Sequence, residues 1–360
     1  MPSKKRIRAS LVIAAGSAGL IALSACSSSS SSSSSAAASG DSGTTSASAA
    51  AAAGSQITVA YASPVASQPN QQELYAGMQE AAKSLGWKIE MLDSDLSANT
   101  QVSNIQTLIQ EKVSAIASWT LDSGATAGIY SQAEAAGIPI IGMNSVGTGV
   151  ASTVWYAAST CDPGGPADTE AAAIAKKTPG ASIILITLTG VPSIDASTAC
   201  FQAAATKAGL KVLTVQSNTA DNASGGDQLA TNLLAKYPNV QAFYDYNDAS
   251  AEGVASAVIA AGKKVMSGTS TTGIQIWGNG ADSDGIAALK AERITGTVDD
   301  NLTESGWAVV EAMKMLLAKQ PIKQITVKSA LVTSANVGTF VEPSARKVTF
   351  TTIPIVSETK

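Results

Sequence analysis

Short apolar runs alternate with amphipathic stretches from Gln56 onward. The first run, 57–62, predicts a buried strand. The stretch 71–85 after it places Leu74, Met78 and Ala81 on one helical face, and a glycine then ends the helix. The pattern continues with predicted strands at 88–92, 115–119 and 138–142 and predicted helices at 99–111 and 123–136.

A second series of the same kind begins after an apolar run at 153–157. Its predicted strands are 182–188, 211–216, 241–246 and 275–277, and its predicted helices are 168–177, 195–208, 226–236 and 249–261. Such alternation predicts parallel strands joined by right-handed crossovers. Two modules in succession therefore predict an α/β fold with two Rossmann-like lobes.

Polar residues follow many of the predicted strands. They are found at 67–70, 119–122, 143–145, 189–193, 218 and 247–248. Each could be a turn or a helix cap, since Asn, Asp and Ser favour those positions. Because open α/β sheets bind ligands beyond the carboxyl ends of their strands, the recurrence at one end indicates a ligand site there.

The N-terminal segment differs from the rest in charge and composition. Lys4, Lys5, Arg6 and Arg8 precede an apolar run at 11–23, which is typical of a secretory signal peptide and too short to span a bilayer comfortably. Ser, Ala, Gly and Thr make up almost all of 27–55, a composition typical of a flexible tether. We expect a signal peptide at 1–25 and a tether at 26–55.

The residues at the end of the apolar run, Leu23-Ser24-Ala25-Cys26, resemble the lipobox of bacterial lipoproteins. The resemblance implies that Cys26 becomes the lipidated first residue of the mature chain, which acyl chains would hold at the outer face of the membrane. The alternative is an ordinary signal peptide with a chance cysteine.

Charge and residue types exclude several classes of function. The 360 residues include no histidine, which rules out Ser-His-Asp and Cys-His nucleophiles and histidine-ligated zinc. Without the four leader bases, 19 basic residues face 27 acidic ones, a net charge of −8. This balance gives no electrostatic footprint for nucleic acid or for an anionic membrane surface.

Two cysteines remain in the body, Cys161 and Cys200. An even pair in an exported chain permits a disulfide. The alternative is two free buried thiols, because a metal site would need more ligands than two sulfurs supply.

Three segments, 73–82, 136–141 and 238–248, resemble the ribose-binding-like (type I) periplasmic substrate-binding proteins of ABC transporters. The resemblance runs from about 57 to 327. It implies that residues 56–159 plus 301–328 form one lobe and that 160–300 plus 329–360 form the other. The three hinge crossovers are expected near 157–160, 279–282 and 299–302.

The resemblance also implies a set of ligand-binding residues, namely Gln68, Asn70, Trp119, Asn144, Asp195, Asn247 and Asp300. Asn70 stands where many relatives have a stacking aromatic ring, and Asp195 or Ser197 stands where an arginine is frequent. Trp119 is the expected replacement for the missing ring, with a core position as its alternative and Trp277 as the other candidate.

These observations predict a lipid-anchored extracellular solute-binding protein, a monomer, that captures a monosaccharide or polyol and delivers it to an ABC permease. No catalysis, cofactor, metal or nucleic acid is expected. The first alternative is a secreted hydrolase that uses paired carboxylates such as Asp299 and Asp300. The second is a binding protein that presents its ligand to a membrane receptor as a sensor.

Overall fold

A computed structural model describes residues 56–360. The predicted signal peptide, the lipidation site at Cys26 and the tether lie outside the described residues. None of the helices in the described part is long and apolar enough to cross a membrane.

The strands and helices alternate through most of the chain. The strands are β1 (Thr58–Ser63), β2 (Lys88–Asp93), β3 (Ala115–Ser118), β4 (Ile140–Met143), β5 (Val150–Tyr156), β6 (Ser182–Thr187), β7 (Lys211–Ser217), β8 (Ala242–Asp245), β9 (Gln275–Gly280), β10 (Gly296–Asp299), β11 (Gln324–Val327), β12 (Ala330–Thr333) and β13 (Ile355–Thr359). The helices are α1 (Pro69–Ser84), α2 (Ala98–Glu111), α3 (Ser123–Ala135), α4 (Pro166–Lys177), α5 (Pro192–Lys207), α6 (Ala223–Lys236), α7 (Asp248–Ala260), α8 (Ser283–Lys290) and α9 (Leu302–Leu317).

The strands form two sheets, and each sheet is the centre of one lobe. The first has seven strands in the order β13-β11-β5-β4-β3-β1-β2, and the second has six in the order β12-β10-β9-β8-β6-β7. Neighbouring strands are parallel except for β13, which is antiparallel to β11, and β12, which is antiparallel to β10. The predicted fold class, two Rossmann-like α/β lobes, is confirmed.

Helix α9 returns the chain to the first lobe, where it crosses α1 at unusually close range. A Cβ atom on Gly77 of α1 would lie 2.3 Å from the carbonyl oxygen of Thr303, and one on Gly306 of α9 would lie 2.3 Å from that of Leu74. Only glycine allows this approach without a shift of the backbone. The crossing fixes α9, and with it the crossover from β10, against the first lobe.

Within residues 56–360 the chain passes between the two sheets four times. The passages are at 157–165, 300–301, 328–329 and 334–354. The first two fall where the sequence predicted crossovers, whereas the crossover expected near 279–282 is wrong. There β9 and β10 are parallel neighbours in one sheet, and Asp282 instead caps α8 by accepting a hydrogen bond from Gly285 N at 2.8 Å.

The C-terminal segment also differs from its prediction. Residues 329–360 were all expected in the second lobe, and β12 does join the second sheet. However, β13 pairs with β11 at the edge of the first sheet, so the expectation is wrong for 355–359. The tail therefore crosses from the second lobe to the first.

A disulfide joins Cys161 to Cys200, and their Cα atoms are 5.2 Å apart. Cys161 lies in the first passage between the lobes and Cys200 lies in α5 of the second lobe. The bond therefore ties the passage to the lobe that it enters, and it does not link the two lobes across the cleft.

Candidate functional site

A cavity opens where the carboxyl ends of the two sheets face each other. It holds about 770 Å³ of space, its opening included. Six of the seven predicted residues line it: Gln68, Asn70, Trp119, Asn144, Asn247 and Asp300. Most of the residues that the resemblance implied therefore lie around one concavity, which both lobes line.

The expectation for Asp195 is wrong. This residue lies in the first turn of α5, is exposed, and accepts a hydrogen bond from Gly190 N at 3.0 Å. Ser197, the alternative at this place, does line the cavity. The two residues point in different directions because a two-residue step turns an α-helix by more than half a circle.

Trp119 joins the lobes as well as lining the cavity. It is 8% exposed, and its indole Nε1 donates a hydrogen bond at 3.0 Å to Ser193 Oγ on α5. Its ring meets that of Tyr156 edge-on, with centroids 5.8 Å apart. Trp277 is instead fully buried in the second lobe, where Nε1 donates to Gln275 Oε1, so it packs the core and does not line the cavity.

A second link between the lobes forms at Asp221, in the loop between β7 and α6. The Gln68 side chain at the start of α1 donates a hydrogen bond to its backbone oxygen. The carboxylate accepts hydrogen bonds from Tyr246 and, at 2.8 Å, from Asn247 Nδ2. Burial raises the pKa of Asp221, and these donors oppose that increase.

Asp300 lies in the passage from β10 to α9 and accepts a hydrogen bond from Ser329 Oγ at 2.9 Å. Ser329 belongs to the next passage, between β11 and β12, and also accepts a hydrogen bond from Ala158 N of the first one. Burial raises the pKa of Asp300 to about 7. One cavity residue thus belongs to a hydrogen-bond network that joins three of the passages between the sheets.

Two polar atoms on residues that line the cavity have no hydrogen-bond partner in the protein. They are Asn70 Oδ1 and the hydroxyl of Tyr156. Buried polar groups are normally satisfied, and one left unpaired costs roughly 1–3 kcal/mol. Hydroxyl groups of a bound molecule would supply the missing partners.

Sequence reasoning missed Tyr156, Asp221 and Tyr246, all of which line the cavity. Tyr156 ends β5 and Tyr246 follows β8, so the rule that selected the other residues could have found them. Asp221 lies four residues after β7, and no pattern in the sequence distinguishes it from an ordinary turn residue.

The charges at the cavity are acidic. Asp221 and Asp300 are among its lining residues, which include no lysine or arginine. In the described part of the chain, no group of three or more cysteine or acidic side chains is placed to hold a metal ion.

Comparison with known proteins places the chain among binding proteins. The model of the family described as "Periplasmic binding protein domain" matches residues 59–321. The ribose import binding protein of Bacillus subtilis is 26% identical over 271 residues, which cover 75% of this chain and 84% of the relative. The Escherichia coli protein of the same name is 26% identical over 269 residues, or 74% and 86% of the two chains.

Solved structures show the same fold. The Caulobacter myo-inositol binding protein, bound to myo-inositol, superposes with a TM-score of 0.71 at 21% identity and covers 79% of this chain and 96% of its own. An ABC transporter periplasmic solute binding protein from Actinobacillus succinogenes, with bound D-allose, gives a TM-score of 0.70 at 20% identity and covers 79% and 100%.

Proposed function

The chain belongs to the periplasmic binding protein domain family, and from this membership we propose that it is the lipid-anchored receptor of an ABC importer for a sugar or polyol. Members of the family bind solutes and do not catalyse reactions, so the hydrolase alternative is set aside. The proposal is supported above all by the cavity between the lobes, where Asn70 Oδ1 and the Tyr156 hydroxyl lack partners.

The chemistry of the cavity suits a polyhydroxylated ligand. Amide and carboxylate groups such as Asn70, Asn144, Asn247 and Asp300 can each bond to neighbouring hydroxyls. The faces of Trp119 and Tyr156 supply apolar surface for the C–H side of a ring. The relatives and structural neighbours are named for ribose, myo-inositol and allose, which share this chemistry.

Binding is proposed to hold the two lobes together. The ligand would contact residues of both lobes, and the chain would bend at the passages at 157–165, 300–301 and 328–329. In this mechanism one lobe consists of residues 56–159 and 301–328, and residues 355–359 add a strand to its sheet. The other lobe consists of residues 160–300 and 329–354. Closure of this kind around a ligand is a hinge motion.

Delivery requires a membrane partner. We propose that acyl chains on Cys26 anchor the protein, that the tether at 27–55 lets a monomeric body reach its permease, and that the closed form is the one that docks. Replacing Cys26 with serine tests the anchor: the protein should lose incorporation of labelled palmitate and appear in the culture medium. Retained lipid labelling would refute lipidation at Cys26.

Tyr156→Phe tests the cavity because binding and stability should respond in opposite directions. The hydroxyl has no partner in the protein, so its removal should leave the melting temperature unchanged or raise it. If the hydroxyl serves the ligand, affinity should fall about 10-fold.

The matched control is Tyr75→Phe, which removes a hydroxyl that donates to Ile89 O at 3.2 Å outside the cavity. Thermal shift with D-ribose, D-allose, L-arabinose and myo-inositol selects the ligand, and calorimetry gives the affinities. A ligand at a hundred times its dissociation constant stabilises the protein by about 2.7 kcal/mol. Absence of a shift with every sugar and polyol would refute the proposed ligand class.

A further inference from the structure

A small side cavity lies beside the ligand cavity and shares part of its lining. It holds about 190 Å³, its opening included, and shares Ala158, Ser197, Tyr244 and Asn279 with the larger cavity. Glu170 of α4 is the only charged residue among those that line it. The space is therefore small, about the size of one water molecule or one ammonium group, and one carboxyl group lines it.

Glu170 is unusual for a buried acid. Its side chain is 1% exposed, and Oε1 has no hydrogen-bond partner. It lies at the fifth position of α4, beyond the exposed backbone N–H groups of the first turn. The remaining buried face of this helix is apolar, with Ala171 and Ile174.

The surroundings of Glu170 do not compensate a negative charge. The groups that act on it electrostatically are Asp245, Asp248 and Asp300, all of them acids, and burial together with these acids raises its pKa well above the usual range. Tyr244 lines both cavities, and burial, together with the charge of Glu170, raises the pKa of its hydroxyl. A buried carboxylate without a cation is costly, and a partner removes that cost.

Packing alone does not explain a glutamate at this position. An apolar side chain would fill the same space without burying an unpaired carboxyl group, and removal of such a group is generally neutral or stabilising. The side cavity gives the carboxyl group access to the ligand. A cationic substituent that entered it would meet Glu170, Ser197 and the Tyr244 hydroxyl, and the acidic charge of the main cavity would favour the same sign.

We propose that the ligand is an amino sugar or aminocyclitol whose protonated amino group enters the side cavity and binds the carboxylate of Glu170. This inference rests on the proposed function, since it specifies one substituent of the ligand. No covalent bond changes; binding transfers the carboxyl proton of Glu170 to solvent when the group is protonated in the free protein.

The test is isothermal titration calorimetry of the intact protein with matched pairs of ligands. The 2-amino, 3-amino and 6-amino derivatives of D-glucose are compared with D-glucose, and D-galactosamine is compared with D-galactose. At least one amine should bind 10- to 100-fold more tightly than its parent, roughly the range for a hydrogen bond between charged groups. Titration in buffers of different ionisation enthalpy should show release of protons with that amine, because burial raises the pKa of Glu170 in the free protein.

Glu170→Gln keeps the shape of the side chain and removes the charge. In this variant the preference for the amine and the proton release should both disappear, while the melting temperature stays equal or rises. Glu134→Gln, an exposed change on α3, is the control and should alter neither quantity.

Different results would overturn the amino-group inference and the proposed function. If D-glucose or D-galactose binds and no amine is preferred, or if the preference survives in Glu170→Gln, the amino-group inference is overturned and the proposed function stands. If neither these sugars nor their amines bind, the amino-group inference is overturned, and the proposed function is overturned as well only when D-ribose, D-allose, L-arabinose and myo-inositol also fail to bind. A preference lost only in Glu170→Gln supports both.

Discussion

Arg346, in the C-terminal tail, links the tail to the passage from β10 to α9. Its removal tests how much this link contributes to the free energy of unfolding. Its guanidinium donates to Asp299 Oδ2 at 2.8 Å and to Glu304 Oε2 at 3.0 Å. It also donates to Asn301 Oδ1 at 2.8 Å and to Val341 O at 2.9 Å. The three acceptor side chains flank the passage from β10 to α9, so one cation fixes the crossover to the tail.

The expected cost follows from the burial of these ions. The side chains of Arg346, Asp299 and Glu304 are 9%, 9% and 12% exposed. Removing one partner from a buried ion pair costs about 3–5 kcal/mol, because the other charge stays buried without compensation. We therefore expect Arg346→Met to lower the free energy of unfolding by about that amount at neutral pH, whereas an exposed pair would contribute only about 0–1 kcal/mol.

The loss of unfolding free energy in Arg346→Met should be larger at higher pH. Burial raises the pKa of Asp299 even with Arg346 beside it, and loss of the cation must raise it further. A group with a raised native pKa stabilises the fold most at low pH and loses that contribution as the pH rises. The difference between variant and wild type should therefore be smaller at pH 5 than at pH 7.

Urea unfolding followed by far-UV circular dichroism measures these differences. Lys347→Met, which removes an exposed cation from the next position, is the control and should change stability by less than about 0.5 kcal/mol. Adding Asp299→Asn to Arg346→Met should recover part of the loss. A loss below about 1 kcal/mol, or a loss independent of pH, would refute the role assigned to Arg346.

Three further predictions concern the cysteines and the cavity. Alkylation without reductant should leave Cys161 and Cys200 unmodified in the intact mass, and two labelled thiols would contradict the bond. Because the sequence separation of the two cysteines is 39, reduction should cost about 4 kcal/mol in the chain-entropy account. Asp300→Asn should gain stability relative to wild type as the pH rises from about 4 through 7, because the pKa of Asp300 is raised to about 7; melting curves that differ by a constant amount would contradict this. Trp119→Phe should lose the hydrogen bond to Ser193, about 1 kcal/mol of lobe contact, and should weaken ligand binding measured by calorimetry, whereas unchanged affinity would argue against a role in closure.

The elements that the sequence predicts well are those with a strong periodic pattern. The helix expected at 71–85 is α1 at Pro69–Ser84, and the strand expected at 88–92 is β2 at Lys88–Asp93. Boundaries shift by one to three residues where caps, such as Asn222 before α6, begin the helix. Apolar faces decide these elements locally, so no distant contact is needed to predict them.

The sequence predictions failed where the hydrophobic pattern is short or where pairing with a neighbouring strand determines the structure. The stretch Gly278-Asn279-Gly280-Ala281 looks like a flexible linker, yet its first three residues complete β9 because β10 pairs beside them. Strand β13 has every residue exposed, and so it has no apolar alternation to reveal it. Its place depends on the edge that β11 offers, which sequence order alone does not specify.

The sequence predicts a site residue when its place in the chain, such as the end of a strand, puts it at the cavity. It does not predict a residue that reaches the cavity through packing against distant elements. The rule that ligands lie beyond strand ends located Trp119, Asn144 and Asn247 at the cavity. The family resemblance could not separate Asp195 from Ser197, because a shift of two helical positions moves a side chain out of the cavity. Nor could it find Glu170, whose approach to the cavity depends on how α4 packs against the second sheet.

The contacts across the cleft suggest why a ligand could control closure. Three hydrogen bonds that join the lobes are those from Trp119 to Ser193, from Gln68 to Asp221 and from Ser283 N to Glu73 Oε1. Such bonds contribute about 0.5–1.5 kcal/mol between neutral groups and about 1.5–3 kcal/mol where one group is charged, as the Glu73 carboxylate is when ionised. Apolar contacts add to them, because Leu188 and Val191 of the second lobe pack in one buried cluster with Trp119 of the first. In the proposed hinge motion, a ligand that bonds to residues of both lobes would add to these contacts and shift the population toward the closed form.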